Sequence, residues 1–356
     1  MGFDSPLGYQ QKNNKEQRMS ATRGHIRILI LLTAGLLVGC SHRNAPTEPT
    51  TTTTSSTKTE ITLKTGVKGM LRRATMINSA TDLQNQDLKI DAYYTGTTTK
   101  YINGAKLHYT GSDPAWQFWD GSAQLHYYWP IERSIYTGVE PNITVSSLDF
   151  VGYCPFAQPS YITGLTYTAD HDVTFSCTAL PMVDSLQNAQ KEFLFGIALE
   201  QDKTNAASGV PLNFKHPFAQ IKLHLAASHP DIIINSITFK SIKNNGDFIY
   251  DHSETSYTWT PSGDAVNLVF TDTATFTDVP ESVQAIGEPF IVIPQTWTGE
   301  IEVNASWKDW GDTPVPHALS AKIPDETWLV GHSYAYTFTI SPEDLTVNIT
   351  NFTEQW

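Results

Sequence analysis

Short runs in which apolar and polar residues alternate recur along most of this chain, each closed by turn residues. A period of two suits a strand with one buried face and does not suit an amphipathic helix, whose period is about 3.6. Such runs cover residues 61–67, 88–94, 125–129, 148–153, 173–177, 193–199, 221–225, 232–242, 265–270, 290–293, 301–307, 334–340 and 345–352. No long amphipathic helix stands between them. The helical crossovers of a parallel α/β fold are therefore missing, and an all-β chain built of β-sandwiches is expected. Composition agrees with this reading. Charged residues make up only 17 % and aromatics 11 %, where ordinary soluble domains carry about 25 % charged residues. Abundant Thr, Ser and aromatic side chains fit a pleated, half-buried surface.

The longest apolar run, residues 28–38, is much shorter than the about 20 residues needed to cross a bilayer core. Arg23, His25 and Arg27 precede it, which makes a basic n-region and a short h-region, the pattern of a secretory signal. Met19 lies at a natural starting distance upstream. The run ends in Leu37-Val38-Gly39-Cys40, which resembles the lipobox of bacterial lipoproteins. Small Gly39 admits a peptidase to the bond before Cys40, and the Cys40 thiol can accept a diacylglycerol thioether. Each buried methylene of such an anchor contributes roughly 0.8 kcal/mol. Residues 1–39 are thus read as a signal peptide. Residues 40–59, rich in Thr, Ser, Pro and Asn, are read as a lipidated flexible tether that holds the protein at the outer membrane and cell surface.

The remaining length suits two domains of roughly 150 residues each. The polar, turn-rich stretch 201–209 puts their boundary between 60–205 and 206–356. A formal net charge of −13 repels nucleic acid and anionic lipid, so neither is an expected partner. Membrane contact is expected through the lipid alone.

The chain holds no G-x-S-x-G elbow, P-loop, H-E-x-x-H pair or EF-hand loop. A non-enzymatic protein without cofactor or metal is expected. With Cys40 committed to lipid, Cys154 and Cys177 are open to two readings: a disulfide formed in an oxidising compartment, or two buried thiols. His216 and His224 would share a face in one continuous strand, and His229 sits in a turn beside Pro230; packing or solvation is expected of all three. Asp309 and Asp312, which flank Trp310-Gly311, are read as solvated loop carboxylates. In Trp116-Gln117-Phe118-Trp119 the alternation assigns Trp116 and Phe118 to a core and Trp119 to the opposite face. If exposed, Trp116 and Trp119 could instead stack on sugars.

Several segments in order resemble the fimbrillin-like lipoproteins of the Bacteroidota, which build surface fimbriae. They are Leu71-Arg72-Arg73-Ala74-Thr75-Met76-Ile77; Tyr128-Trp129-Pro130 with Leu148-Asp149-Phe150-Val151-Gly152-Tyr153-Cys154-Pro155; Leu212-Asn213-Phe214-Lys215-His216-Pro217-Phe218-Ala219-Gln220-Ile221-Lys222-Leu223; Phe290-Ile291-Val292-Ile293-Pro294-Gln295; and Trp328-Leu329-Val330-Gly331-His332-Ser333-Tyr334-Ala335-Tyr336-Thr337-Phe338. The resemblance implies two transthyretin-like β-sandwich domains in tandem and export as a lipoprotein. It also implies proteolytic removal of the N-terminal segment with its first strand, and completion of the vacated groove by a donor strand from another subunit. Ile61, Leu63 and Val67 would belong to the displaced strand, and Arg73-Ala74 is the candidate cleaved bond, with an ordinary basic turn as the other reading. The run Leu345, Val347, Ile349 is either a donor strand or the last strand of its own domain. The expected partners are other fimbrial subunits, in a shaft, tip or accessory role, and a host or bacterial surface receptor. The competing reading is a monomeric surface lipoprotein that binds glycans through exposed aromatics.

Cys40 supplies the first check. In a bacterial host, the chain should incorporate labelled palmitate and partition with membranes, and Cys40→Ser should lose both properties.

Overall fold

The computed structural model describes residues 58–67, 77, 79–130, 133–135, 143–145, 147–181, 190–227, 231–271, 274–276, 283–341 and 344–352. Gly39, Cys40, the Arg73-Ala74 bond and His229 lie outside the described residues.

The expected all-β class is borne out. The first strands are β1 (Leu63–Val67), β2 (Leu88–Tyr94), β3 (Lys100–Tyr109), β4 (Trp116–Trp119), β5 (Gln124–Leu125), β6 (Arg133–Ile135), β7 (Ile143–Val145) and β8 (Leu148–Cys154). Then come β9 (Ile162–Tyr167), β10 (Val173–Cys177), β11 (Leu194–Gln201), β12 (Val210–Lys215), β13 (Ala219–Ala227), β14 (Ile232–Ile242), β15 (Asn245–Asp251) and β16 (Ser256–Ser262). The last are β17 (Val266–Phe270), β18 (Ala274–Phe276), β19 (Gln284–Ala285), β20 (Phe290–Val292), β21 (Thr296–Trp307), β22 (Val315–Thr327), β23 (Ser333–Ile340) and β24 (Leu345–Phe352). One short helix, α1 (Ala80–Gln84), follows β1; Ser79 caps it by accepting the Asp82 N–H at 3.1 Å.

The strands form four main sheets and the small β6–β7 ribbon. The first sheet has the order β1-β12-β11-β8-β2-β3-β4-β5, and the second β16-β15-β10-β9. The third runs β19-β13-β23-β24 with β20 also on β13; the fourth runs β17-β14-β21-β22 with β18 also on β14.

Period-two alternation sorts the side chains of these sheets into three cores. Along β8, Leu148, Phe150 and Cys154 enter one core, while Val151 and Tyr153 enter another on the opposite face. The first of these cores also takes Ile90, Leu107, Phe118, Leu194 and Leu212, all from the first sheet. The second packs Tyr153, Phe193 and Phe195 against Val173, Phe175, Phe248 and Tyr250 of the second sheet. The third core joins the third and fourth sheets through Leu223, Tyr336 and Phe338 on one side and Phe239, Val303 and Trp307 on the other.

The sheets cross the position expected for a domain boundary. Residue 205 falls between β11 and β12, which are neighbours in the first sheet. The β15–β16 hairpin, further along the chain, pairs β15 with β10 in the second sheet. Phe218, Ile291 and Ile293 also enter the second core. Aromatic packing fixes this junction. Phe248 lies 4.7 Å from Phe175 and 5.6 Å from Phe195 between ring centroids, and Trp259 lies 5.3 Å from both Phe248 and Phe218. Trp259 Nε1–H also donates to the Pro217 carbonyl at 2.6 Å.

Phe248 is fully buried at that junction. Phe248→Ala should cost about 3–5 kcal/mol, measured as a lowered midpoint in chemical denaturation followed by tryptophan fluorescence.

Candidate functional site

The segment around the first strand is bonded on both sides. β1 pairs in parallel with β12, placing Leu63 opposite Val210, Thr65 opposite Leu212 and Val67 opposite Phe214. The Val210 N–H donates to the Thr62 carbonyl at 2.8 Å. Just before β1, the chain reaches the stretch that follows β5, at the other end of the same sheet. The Ile61 N–H donates to the Tyr127 carbonyl and the Trp129 N–H to the Thr59 carbonyl, each at 2.8 Å, with an antiparallel bridge between Glu60 and Tyr128. Residues 59–67 therefore close the curl of the first sheet.

The side chains follow the alternation. Ile61 and Leu63 are only 2 % and 3 % exposed and sit in the core with Leu83, Phe118, Trp129 and Leu212, while Val67 packs partly buried against it. The rim is polar: His126 Nδ1 lies 2.6 Å from Glu60, and the Lys58 ammonium stands over the Tyr128 ring. Without this segment, one edge of β12 and the backbone at 127–129 would lose their partners, and an apolar slot would open between them. Unpaired buried backbone groups are costly.

The chain beyond β1 has its own attachment. The Ile77 N–H donates to Glu192 Oε2 at 2.9 Å. The other carboxylate oxygen of Glu192 lies 2.5 Å from His216 Nδ1, and both side chains are 1 % exposed. His216 thus fastens the chain at Ile77 through Glu192. The expectation that His216 and His224 share a face is corrected: His216-Pro217-Phe218 breaks the strand between β12 and β13. His224 is half-buried on β13, where burial and then the nearby Lys222 hold its pKa below the ordinary imidazole range.

β24 is an edge strand, antiparallel to β23 from Ile340↔Leu345 to Ser333↔Phe352. Leu345 is buried, and Val347 and Ile349 pack against the third core, so in this molecule they cover their own body. Cys154 and Cys177 are both buried free thiols, not a disulfide. Cys154 enters the core enclosed by the first sheet and Cys177 the core on the opposite face of that sheet, so the alternation of β8 turns the two thiols apart. Trp116 and Phe118 are buried, as the alternation implied, and Trp119 is half-buried beside His108. Asp309 is not simply solvated: its Oδ1 accepts Trp307 Nε1–H at 2.7 Å. Trp310, between Asp309 and Gly311, is 98 % exposed.

Comparison with known proteins adds the family. A sequence profile described as fimbrillin-like matches residues 73–356. No curated protein matches at the sequence level. Among solved structures, a fimbrial protein from Bacteroides vulgatus has a similar fold, with a TM-score of 0.53 at 13 % identity, covering 83 % of this chain and 99 % of that one. A candidate cell adhesion protein from Bacteroides ovatus also has a TM-score of 0.53, at 15 % identity, covering 84 % of this chain and 98 % of its own.

The buried thiols and phenols set a pH dependence. Burial pushes Cys177 from 9.0 up to about 12 and raises Cys154 further. It also lifts Tyr93 and Tyr257 from 10.0 to about 12. All four lose their protons more readily when unfolded, so their contribution is whole below about pH 9 and is lost as pH rises toward 12. The midpoint of urea unfolding should fall steadily across that window. At pH 8, Cys154 and Cys177 should resist alkylation until denaturant is added, as intact mass will show.

Proposed function

The chain belongs to the fimbrillin-like family, and on that premise we propose that it is a cell-surface fimbrial subunit that assembles by β-strand addition after losing its first strand. The single observation that carries this reading is the bonding of residues 59–67. Every described strand partner of this segment is remote in sequence, and the segment fills an apolar slot along its length. It can depart without unpicking a local hairpin. What it leaves is a groove with free backbone groups and pockets spaced by two residues, the surface that β-strand addition uses.

Two further observations support the reading. Ile77 is bonded to Glu192 rather than to β1, so a chain that begins near Ala74 retains this attachment at Ile77. The family match begins at Arg73, the residue before the candidate cleaved bond. In this account the signal segment directs export, Cys40 carries the lipid to the outer membrane, and cleavage at Arg73-Ala74 releases Ile61, Leu63 and Val67. A donor strand from another fimbrial subunit then fills the slot. The role is structural and adhesive rather than catalytic.

The test is a chain that starts at Ala74. It should be less stable than the chain that keeps its first strand by about 3–6 kcal/mol, the burial of two aliphatic side chains at roughly 1.5–3 kcal/mol each. A synthetic peptide of residues 58–67 added in trans should restore the melting temperature. Equal stability of the two forms, or no response to the peptide, would sink strand addition at this groove.

A further inference from the structure

The loop between β21 and β22 carries an exposed aromatic ring on a rigid base. Trp307 ends β21, is fully buried in the third core and pairs with Val315 across the hairpin. The His317 ring stacks on Trp307 at 3.6 Å between centroids and 2° between planes. Asp309 ties the two rings: its Oδ1 accepts the Trp307 indole N–H at 2.7 Å, and its Oδ2 lies 3.2 Å from His317 Nε2. Beyond this base the chain turns through Gly311 at φ +108°, a conformation that other residues adopt only with strain. Trp310 stands at the turn with 98 % of its surface open to solvent. An indole held out from a pinned hairpin gains nothing for the fold.

We infer that Trp310 is the stacking platform of a carbohydrate site that takes an uncharged pyranose. The surroundings select that ligand. Lys308, Asp309, Gly311, Asp312, Thr313 and Pro314 are all exposed, and Val315 is the other exposed large hydrophobic of this hairpin. A protein interface needs a contiguous apolar core around its aromatic anchor, and this loop has none. A sugar ring offers a C–H face to one indole and hydroxyl donors to carboxylates; in the chain Asp309, tied to Trp307 and His317, precedes Trp310, and the exposed Asp312 follows two residues later. The same two carboxylates and the net charge of −13 oppose anionic lipid, nucleic acid and acidic sugars. The preformed base lowers the ordering cost of binding. This site is separate from the groove of the first strand, and it replaces Trp116, which is buried, as the aromatic that could meet a glycan.

The experiment uses the full chain on an array of neutral gluco-, galacto-, manno- and N-acetylhexosamine oligosaccharides, with affinities then measured by calorimetry for those bound. At least one neutral oligosaccharide should bind saturably. Trp310→Ala should weaken it roughly tenfold or more, as loss of an aromatic stacking contact implies. Trp310→Tyr should keep part of the affinity, and Trp119→Ala should leave it unchanged. The melting temperature of Trp310→Ala should match that of the parent. Three results would overturn the site: no neutral oligosaccharide bound by the parent, equal binding by Trp310→Ala, or a Trp310→Ala effect confined to self-association in sedimentation. The peptide complementation experiment reads strand addition separately, so either proposal can fail alone.

Discussion

The burial of β8 on both faces is the constraint from which the rest of the molecule follows. A strand between two cores must supply apolar side chains in both directions, and Leu148–Cys154 is buried at every position. Two curved layers then have to meet close to it, and small residues permit the approach. Gly152 of β8 lies opposite Gly196 of β11. A Cβ at Gly152 would stand 2.4 Å from Leu212 Cδ2, and one at Gly196 would stand 2.8 Å from the Asn213 carbonyl oxygen. Because both are glycine, β12 folds tightly over β11 and β8. That curl brings β12 to the edge where β1 docks and allows residues 59–61 to reach 127–129. The groove of the first strand is thus a consequence of how closely this sheet can bend.

Buried carboxylates repair the irregularities that the bending creates. The β11–β8 register slips between Ala198 and Gln201, where Glu200 adopts a positive φ. Asp149, fully buried, accepts the Glu200 N–H at 2.9 Å and the Thr95 hydroxyl at 3.0 Å, so the bulge leaves no orphaned amide there. Asp91 does the same for the β2–β3 slip. It accepts the N–H of Gly104, which sits at φ +63°, and pairs with Lys100 at 3.0 Å. Glu192 plays the third such part, joining the Ile77 amide to His216. In each case a carboxyl group is placed inside, where a backbone N–H would otherwise lack a partner.

Many strands that face a core were legible in the sequence, but β3 and β12, which give Leu107 and Leu212 to the first core, fall outside the alternating runs, as do edge strands that face water. The alternation located β2, β10, β14 and β24 to their ends; β10, β14 and β24 lay apolar side chains on one buried face, and β2 is buried on both. It missed β16 and β22, two edge strands whose residues are largely exposed or half-buried. At an edge the backbone pairs on one side only and the side chains need not be apolar, so no periodic signal arises. The same limit hid the docking of the β15–β16 hairpin on β10, because pairing between distant strands leaves no local pattern. The buried state of Trp116 and Phe118 was legible from spacing, whereas the roles of Glu192 and Trp310 were not. Glu192 matters through partners at Ile77 and His216 that only the fold brings together. Trp310 differs from the other tryptophans only in where the hairpin leaves it.

In the proposed assembly, the position of β24 decides which role this chain fits better. Donating β24 to a neighbour would uncover β23, whose Tyr334, Tyr336 and Phe338 are fully buried, together with the side of the third core that Leu345, Val347 and Ile349 cover. The vacated slot of the first sheet has a similar character, with alternate apolar pockets and one row of unpaired backbone groups. Moving β24 from one sheet to the other therefore exchanges one exposed groove for another, and little net driving force remains. The first strand has no such counterweight once it is cut, because the segment that leaves belongs to no other core. The balance favours this chain as an acceptor whose groove is filled by a segment that its donor does not need for its own fold.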